Sequence, residues 1–231
     1  MVMRLVLWDI DGTLVDTAGH GARAFADAFE VLFGRPPEAL VPMAGKTDHE
    51  IALGILERNE VEGGEDHLPR MWRELEAALV RKQDAIRAEG RALPGAREAL
   101  AALSERDGVL QSLLTGNIEA NAATKLGAFG LEQWLELDIG GYGSDGGVRS
   151  ALVEVALGRA EAKHGVELTA ADAVLVGDTP LDVAAAHAAG ARSVAVASGY
   201  SSAEDLETAG PDALLDDLAD TDAVAAAVLG G

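Results

Sequence analysis

The chain has 231 residues and a formal net charge of −21 at pH 7, and 48% of its residues are hydrophobic. This length suits one large or two modest domains, and the hydrophobic fraction is ordinary for a globular protein. The strong negative charge argues against binding to nucleic acid or to an anionic membrane surface. The chain contains no cysteine, which excludes disulfides, thiolate nucleophiles and cysteine-ligated zinc.

The apolar run at the start of the sequence is too short for the apolar core of a signal peptide. No other apolar run approaches the ~18–20 residues that cross a membrane. We therefore expect a cytoplasmic protein without a membrane partner. No exposed heptad pattern is evident, so a monomer is the expected state.

The first stretch of interest is an almost wholly apolar run, residues 2–8, that ends abruptly at two aspartates, Asp9 and Asp11. Its aliphatic and β-branched residues predict a strand buried on both faces. Residues two apart on a strand point to the same side, so both carboxylates face one site unless the chain turns at Ile10. Two such carboxylates stay ionised only if a cation neutralises them, which indicates a metal site.

A purely structural interpretation of this stretch is also open. The pair Asp11-Gly12 is a common turn, and Thr13 with Asp16 matches a helix capping box. The choice between the two interpretations depends on whether matching residues occur further along the chain.

Residues 17–91 show helical periodicity and contain no strand candidate. Apolar side chains recur at three- and four-residue steps over residues 22–33, and a capping box from Thr47 to Glu50 begins a second helix. A long helix then runs to about Glu89. The segment 17–91, which we call the helical insert, is therefore predicted to be a small all-helical domain placed after the first strand.

Beyond residue 92, helical and extended patterns alternate. The predicted helices are 96–106, 118–129, 151–164, 182–189 and one from Thr221, and the predicted strands are 109–114, 137–139, 173–176, 193–197 and 214–215. Such alternation predicts a parallel sheet with helices on both faces. The expected fold is thus a Rossmann-like α/β core domain, residues 1–16 and 92–231, plus the helical insert.

Ligands of open α/β sheets bind beyond the carboxyl ends of the strands. The strand that ends near residue 114 is followed by Thr115, Gly116 and Asn117. A hydroxyl group and free backbone N–H groups at a helix N-terminus can hold a phosphate. Alternatively, Asn117 is only the cap of the next helix.

The strand that ends near residue 176 is followed by Gly177 and Asp178. The glycine lets the backbone turn so that the carboxylate of Asp178 points into the crevice, where we predict a metal ligand. Asp182 forms a capping pair with Thr179. We predict that Asp182 caps its helix and belongs to the metal site by contacting metal-bound water.

Taken in order, these three strand ends resemble the motifs of the haloacid dehalogenase (HAD) superfamily of phosphohydrolases, and the insert resembles the helical cap of its phosphoglycolate phosphatase-like members. The matching residues are Asp9, Asp11, Gly12, Thr13 and Leu14 for the first motif, Thr115 for the second, and Gly177, Asp178 and Asp182 for the fourth. The resemblance covers nearly the whole chain.

The third motif of this superfamily is a lysine or arginine near the start of the helix that precedes the fourth motif. Arg149 occupies that place and is the predicted residue. The other candidate, Lys163, lies near the end of the same helix, where a cation complements the helix dipole. Lys125 and Arg159 are interpreted as solvated helix charges.

The resemblance implies a mechanism in which Asp9 attacks phosphorus and becomes an aspartyl-phosphate. Asp11 then serves as general acid and base. The implied cofactor is Mg²⁺, held by the Asp9 carboxylate, the Asp11 main-chain carbonyl and Asp178, with Asp182 close by. The second aspartate favours phosphate chemistry over carbon–halogen chemistry.

The same resemblance implies that Thr115 and Arg149 neutralise the transferring phosphoryl group. The full predicted set of phosphate- and substrate-binding residues is Gly12, Thr115, Gly116, Asn117 and Lys46. Lys46 lies in a loop between two helices of the insert, where a substrate contact is expected. His20 and Arg23, also near the junction, are interpreted as surface residues.

The leading hypothesis is a Mg²⁺-dependent phosphatase that hydrolyses a small phosphorylated metabolite, a phosphoglycolate-like or sugar phosphate monoester. The alternative within the enzyme class is a phosphosugar mutase of the β-phosphoglucomutase type, which shares these motifs. A receiver-type signalling module, which also phosphorylates an aspartate on a parallel sheet, is the alternative of a different class. Receivers are shorter and have no helical insert after the first strand.

Overall fold

The structure, a computed structural model, describes residues 3–230. Its strands are β1 (Arg4–Trp8), β2 (Val15–Asp16), β3 (Arg91–Ala92), β4 (Val109–Thr115), β5 (Gly141–Tyr142), β6 (Ala173–Gly177), β7 (Arg192–Val196) and β8 (Ala213–Leu215). Its α-helices are α1 (His20–Phe33), α2 (Asp48–Arg58), α3 (Leu68–Arg81), α4 (Gln83–Glu89), α5 (Ala96–Ser104), α6 (Glu119–Gly127), α7 (Ala151–His164), α8 (Pro180–Ala189), α9 (Ala203–Ala209) and α10 (Thr221–Leu229).

Six strands form one sheet in the order β5–β4–β1–β6–β7–β8, and every neighbouring pair is parallel. The predicted α/β fold class is confirmed. Because β1 lies between β4 and β6, the carboxyl ends of three strands that carry the polar motifs meet at the same edge.

The apolar run of β1 reflects helices packed on both faces of the sheet. Val6 and Trp8 belong to a core cluster that includes residues of α5 and α10, whereas Leu5 and Leu7 belong to one that includes residues of α7 and α8. All four side chains are buried. Consecutive residues therefore need to be apolar, which explains why the strand shows no alternation.

The helical insert has an apolar cluster formed mainly by α1, α2 and α3. The chain enters the insert through β2 and leaves it through β3, and these two short strands pair antiparallel. An ion pair of 3.0 Å joins Arg91 to Asp16 across this pair. The prediction that residues 17–91 contain no strand is therefore wrong at the C-terminal boundary, where Arg91 belongs to β3.

Several predicted elements differ from the structure. The long helix of the insert is divided into α3 and α4 at Lys82, and residues 137–139 form a 3-10 turn rather than a strand. The neighbouring strand, β5, begins at Gly141. The backbone of Gly141 lies against Leu152 and leaves no room for a side chain, so no apolar residue marks the start of this strand in the sequence. Helix α9 was not predicted, and Val2 of the first predicted strand lies outside the described residues.

The capping-box interpretation of Thr13 and Asp16 is also wrong, because residues 12–14 form a turn and no helix begins there. The carboxylate of Asp16 instead accepts a hydrogen bond from the N–H of Ala18. The capping boxes predicted at Thr47 and Thr179 are confirmed. None of the helices within residues 3–230 is long and apolar enough to cross a membrane.

Candidate active site

A cavity of about 530 Å³ lies between the carboxyl edge of the sheet and the helical insert. The polar and charged side chains that line it from the core are Asp9, Asp11, Thr115, Asn117, Lys125, Arg149 and Tyr200. The insert contributes Thr17, Lys46 and Asp48 together with mostly apolar residues. The cavity is thus charged on the sheet side and largely apolar on the insert side.

Three buried carboxylates meet at the bottom of this site. One oxygen from each of Asp9, Asp178 and Asp182 lies within 4.8 Å of the others. Asp9 follows β1, Asp178 follows β6, and Asp182 lies in the first turn of α8. The sheet order therefore brings together carboxylates that are far apart in sequence.

Arg149 is the cation of this cluster. Its Nη2 lies 3.0 Å from Oδ1 of Asp9 and 2.5 Å from Oδ1 of Asp182. Its Nε is buried and has no hydrogen-bond partner among the described residues. Arg149 lies before α7, and Lys163, at the far end of that helix, forms surface ion pairs with Glu136 and Asp138. Of the two candidates for the third motif, only Arg149 lies in the site.

Burial changes the pKa values of the clustered carboxyl groups. Desolvation raises the pKa of Asp9 to about 6, although the charge of Arg149 opposes the shift. Desolvation and the nearby charge of Asp9 raise the pKa of Asp178 to about 8, against the hydrogen bond from Tyr200. Burial by itself would lower the pKa of Arg149, but Asp182 and Asp9 outweigh it and raise that pKa.

The charges of the cluster fit a divalent cation. Asp9, Asp178 and Asp182 carry three negative charges when ionised, and Arg149 supplies one positive charge, which leaves two uncompensated. Buried uncompensated charge is costly, and a hard divalent cation with oxygen ligands would remove it. The donor set present therefore fits Mg²⁺.

The hydrogen bonds of Asp182 limit its part in such a site. Its Oδ2 accepts hydrogen bonds from the N–H and the hydroxyl of Thr179, and its Oδ1 faces Arg149. Asp178 accepts from the hydroxyl of Thr13 and from the N–H of Tyr200. Each oxygen of Asp178 thus accepts one hydrogen bond and keeps a second lone pair, whereas the oxygens of Asp182 are engaged by Thr179 and Arg149.

Two glycines make room for these carboxylates. A Cβ atom on Gly12 would lie 2.3 Å from Oδ2 of Asp178, and one on Gly177 would lie 2.3 Å from Cγ of Asp182. Gly12 is one of the predicted phosphate-binding residues, but its N–H donates to the carbonyl of Val15. The geometry therefore gives Gly12 a spacing role beside Asp178.

The hydroxyl group of Thr115 lines the cavity at the end of β4. Its Oγ1 accepts hydrogen bonds from the N–H and from Nδ2 of Asn117, so its own proton is left to donate into the cavity. Gly116 also lines the cavity. The interpretation of Asn117 as a helix cap is wrong, because Ile118 is the N-cap of α6 and Asn117 contacts Thr115, Asp11 and Lys125 instead.

The interpretation of Lys125 as a solvated helix charge is wrong. Its side chain is buried, and its Nζ lies 2.5 Å from Oδ2 of Asp11. Arg159 is not fully solvated either, because its guanidinium forms two hydrogen bonds with Asp145. His20 is not a surface residue, since it is buried against Glu89, whereas Arg23 is exposed.

The loop that carries Lys46 is docked on the sheet edge. The N–H of Asp48 donates to the carbonyl of Gly116, and the carboxylate of Asp48 accepts from the N–H of Ile118 at the start of α6. A Cβ atom on Gly116 would lie 2.1 Å from the carbonyl oxygen of Lys46. The insert and the core therefore touch through backbone at the mouth of the site.

Asp48 and Tyr200 are site residues that sequence reasoning missed. Burial raises the pKa of Asp48 to about 6, while Lys125 lowers it. In the sequence Asp48 looks like an ordinary first-turn acid of α2, and only docking of the insert shows that it caps α6. Tyr200 contributes its backbone N–H to Asp178 from a loop without a motif, so no sequence signal marks it.

Comparison with known proteins agrees with this arrangement. The profile of the haloacid dehalogenase-like hydrolases matches residues 6–187, a range that includes all the clustered carboxylates. The parallel sheet and the carboxylates at its edge define an α/β protein with an acidic site. The chain belongs to the haloacid dehalogenase-like hydrolase family.

Among curated relatives, phosphoglycolate phosphatase 1 of Pseudomonas aeruginosa is 33% identical over 223 residues, which cover 94% of this chain and 78% of that protein. The plasmid-borne phosphoglycolate phosphatase of Cupriavidus necator is 31% identical and covers 92% of this chain and 89% of its own. Among solved structures, CbbY of Rhodobacter sphaeroides in complex with phosphate superposes with a TM-score of 0.68 at 19% identity, over 94% of this chain and 96% of that chain. The two chains therefore have similar folds although their sequence identity is low.

The raised pKa of Asp178 predicts a pH dependence of stability. Because its folded-state pKa of about 8 exceeds the ordinary value of 3.8, the folded state retains a proton that the unfolded state has lost, and stability falls as pH rises between these values. We expect the melting temperature of the metal-free protein to fall from about pH 5 to about pH 8, and added Mg²⁺ to offset the fall.

The fall should be smaller in Asp178→Asn, because the neutral amide cannot ionise. Asp172→Asn is the matched control: the hydrogen bonds from Thr169 lower the pKa of Asp172, so this carboxylate is already ionised over the whole range. A melting curve of Asp178→Asn with the wild-type pH dependence would contradict the assignment.

Docking of the insert predicts a second effect. Gly116→Ala places a methyl group against the carbonyl of Lys46, so the loop must move away from the sheet edge. We expect faster hydrogen exchange in residues 40–48 and a loss of about tenfold or more in kcat/KM. Gly146→Ala is the control, since its Cβ atom meets no atom within 4 Å, and equal exchange in the two variants would contradict docking at this contact.

Proposed function

We propose that the protein is a Mg²⁺-dependent phosphatase that hydrolyses a small phosphate monoester through an aspartyl-phosphate on Asp9. The observation that carries the proposal is the environment of Asp9. Its carboxylate lies at the end of a central strand, paired with Arg149, beside Asp178 and at the floor of a cavity that also presents the hydroxyl of Thr115. The names of the curated relatives support a phosphatase.

The phosphoryl group would be held by donors of residues that line the cavity. Arg149 offers a buried guanidinium whose Nε has no partner among the described residues, and Thr115 offers its free hydroxyl proton. Gly116, next to Thr115 in the chain, also lines the cavity. Phosphoryl transfer is catalysed chiefly by positioning and by neutralising charge, which such donors supply.

Mg²⁺ would be held by the carboxylates of Asp9 and Asp178 and by the main-chain carbonyl of Asp11, and when bound it neutralises charge on the phosphoryl oxygens. Asp182 takes part by orienting Arg149 and the start of α8. With a pKa of about 6, the carboxyl group of Asp9 is largely ionised near pH 7, and a bound cation would favour the ionised form further.

In the first half-reaction, an oxygen of Asp9 forms a bond to phosphorus while the bond to the leaving oxygen breaks. Asp11, protonated, donates its proton to that oxygen. In the second half-reaction, Asp11 takes a proton from water, the water oxygen attacks phosphorus, and the bond to Asp9 breaks to release phosphate. Dividing one displacement into two steps in this way is covalent catalysis.

Residues 17–91 would act as a cap that covers the site during the reaction, on a core of residues 1–16 and 92–231. The short pair of β2 with β3 joins the two parts and would serve as the hinge. Closure would exclude bulk water, apart from the attacking water molecule, and complete the binding site. Lys46 is the one cation that the insert contributes among the described residues lining the cavity, so it would contact an anionic leaving group such as that of a phosphoglycolate-like substrate.

The mutase alternative shares the core residues and differs in its product. A phosphatase releases inorganic phosphate, whereas a mutase returns an isomeric sugar phosphate. Measuring released phosphate against consumed substrate separates the two. The family membership excludes the receiver-type module.

A screen of phosphorylated metabolites with and without Mg²⁺ tests the proposal. Asp9→Asn removes the nucleophile and should lower kcat on the order of a thousandfold or more. The matched control is Asp138→Asn, whose carboxylate pairs with Lys163 on the surface, and it should keep wild-type activity. Phosphate release that survives in Asp9→Asn or in the presence of a chelator would contradict the mechanism.

A further inference from the structure

Lys125 is a buried cation that the proposed mechanism does not use. Its side chain is only 6% exposed, although it lies on α6, a helix at the boundary of core and insert. Burying an ammonium group is unfavourable unless it is paired and hydrogen-bonded. Its two partners, Asp11 and Asn117, both line the cavity. This placement indicates a role in the site.

The helix geometry explains how Lys125 reaches these partners. Lys125 lies in the last turn of α6, about two turns after Asn117, which directly precedes the N-cap Ile118. Long side chains on a helix lean toward its N-terminus. The Nζ atom is thereby brought back to within 2.6 Å of Oδ1 of Asn117, beside the end of β4.

Lys125 and Asn117 hold the same oxygen of Asp11. Oδ2 of Asp11 accepts from Nζ of Lys125 at 2.5 Å and from Nδ2 of Asn117 at 2.9 Å. Asn117 is fixed in turn, because its Nδ2 also donates to Thr115. Two donors on one oxygen fix the side-chain rotamer and leave Oδ1 of Asp11 as the oxygen available to exchange a proton with substrate.

We propose that Lys125 is a positioning residue that holds Asp11 in the orientation required for proton transfer to the leaving group. The proposal rests on the proposed phosphatase function and adds a second cation to the site with a separate task. Arg149 contacts the nucleophile Asp9 and Asp182, whereas Lys125 contacts the acid–base residue. The two cations thus divide the two catalytic aspartates between them.

Leaving-group dependence distinguishes this role from a merely structural ion pair. An alkyl phosphate needs a proton on its departing oxygen, whereas p-nitrophenolate departs without one. In Lys125→Met we expect kcat/KM to fall about 10–100-fold for an alkyl phosphate and much less for p-nitrophenyl phosphate. Lys125→Arg, which keeps the charge, should recover part of the loss.

A double-mutant cycle gives a second readout. If Lys125 acts through Asp11, then Lys125→Met should add almost nothing to the loss in Asp11→Asn. Lys82→Met is the matched control, because Lys82 is a paired lysine of the insert, 2.6 Å from Asp27, and it should leave both substrates unaffected. Losses equal for the two substrates, or losses that multiply with Asp11→Asn, would overturn the proposal.

Two further measurements keep the test decisive. If Lys125→Met does not fold, Lys125→Gln replaces it in every comparison, since it removes the charge and keeps a donor. If the wild-type protein releases no phosphate, the proposed function fails, and a crystal structure of the variant then decides the Lys125 proposal by itself. Asp11 should leave its wild-type rotamer there, and an unchanged Asp11 would refute the positioning role.

Discussion

The contact of Arg149 with two buried carboxylates, at 3.0 Å from Asp9 and 2.5 Å from Asp182, is the interaction on which the site depends. Without it, Asp9, Asp178 and Asp182 would form a buried cluster of like charges whose members could not remain ionised together. With it, the cluster still lacks two positive charges. This deficit gives the site its affinity for a divalent cation.

The fold creates this cluster by strand order rather than by sequence proximity. Placing β1 between β4 and β6 brings Asp9 beside Thr115 on one side and Asp178 on the other. The insert then covers the same edge through contacts of the Lys46 loop with Gly116 and α6. The cavity is therefore lined by charged residues on the sheet side and largely by apolar residues on the insert side.

The sequence was most informative where a local pattern has a single physical cause. The apolar run before Asp9 predicts a strand buried on both faces, and Thr179 with Asp182 predicts a capped helix start; the structure shows both. The family resemblance predicts that Arg149 belongs to the site, and in the structure its Nη2 lies 3.0 Å from Oδ1 of Asp9. These features depend on neighbours in the chain or on a fixed order of motifs.

The failures concern features that only tertiary contacts decide. Lys125 has the local pattern of a surface lysine, and its burial follows from the approach of Asp11, 114 residues away in sequence. Asp48 caps α6 only because the insert folds back onto the core. The strand at Gly141 has no apolar pattern, since its backbone packs directly against Leu152. No window of sequence contains the partners that determine these three placements.

Calorimetric titration of the metal-free protein with Mg²⁺ tests the charge deficit most directly. At about pH 7, below the Asp178 pKa of about 8, we predict one bound ion per chain and the release of about one proton, seen as a dependence of the heat on buffer ionisation. Asp178→Asn should lose both the binding and the proton release, whereas Asp138→Asn should retain them. Binding of Mg²⁺ that is unchanged in Asp178→Asn, or no binding by the wild-type protein, would contradict the account.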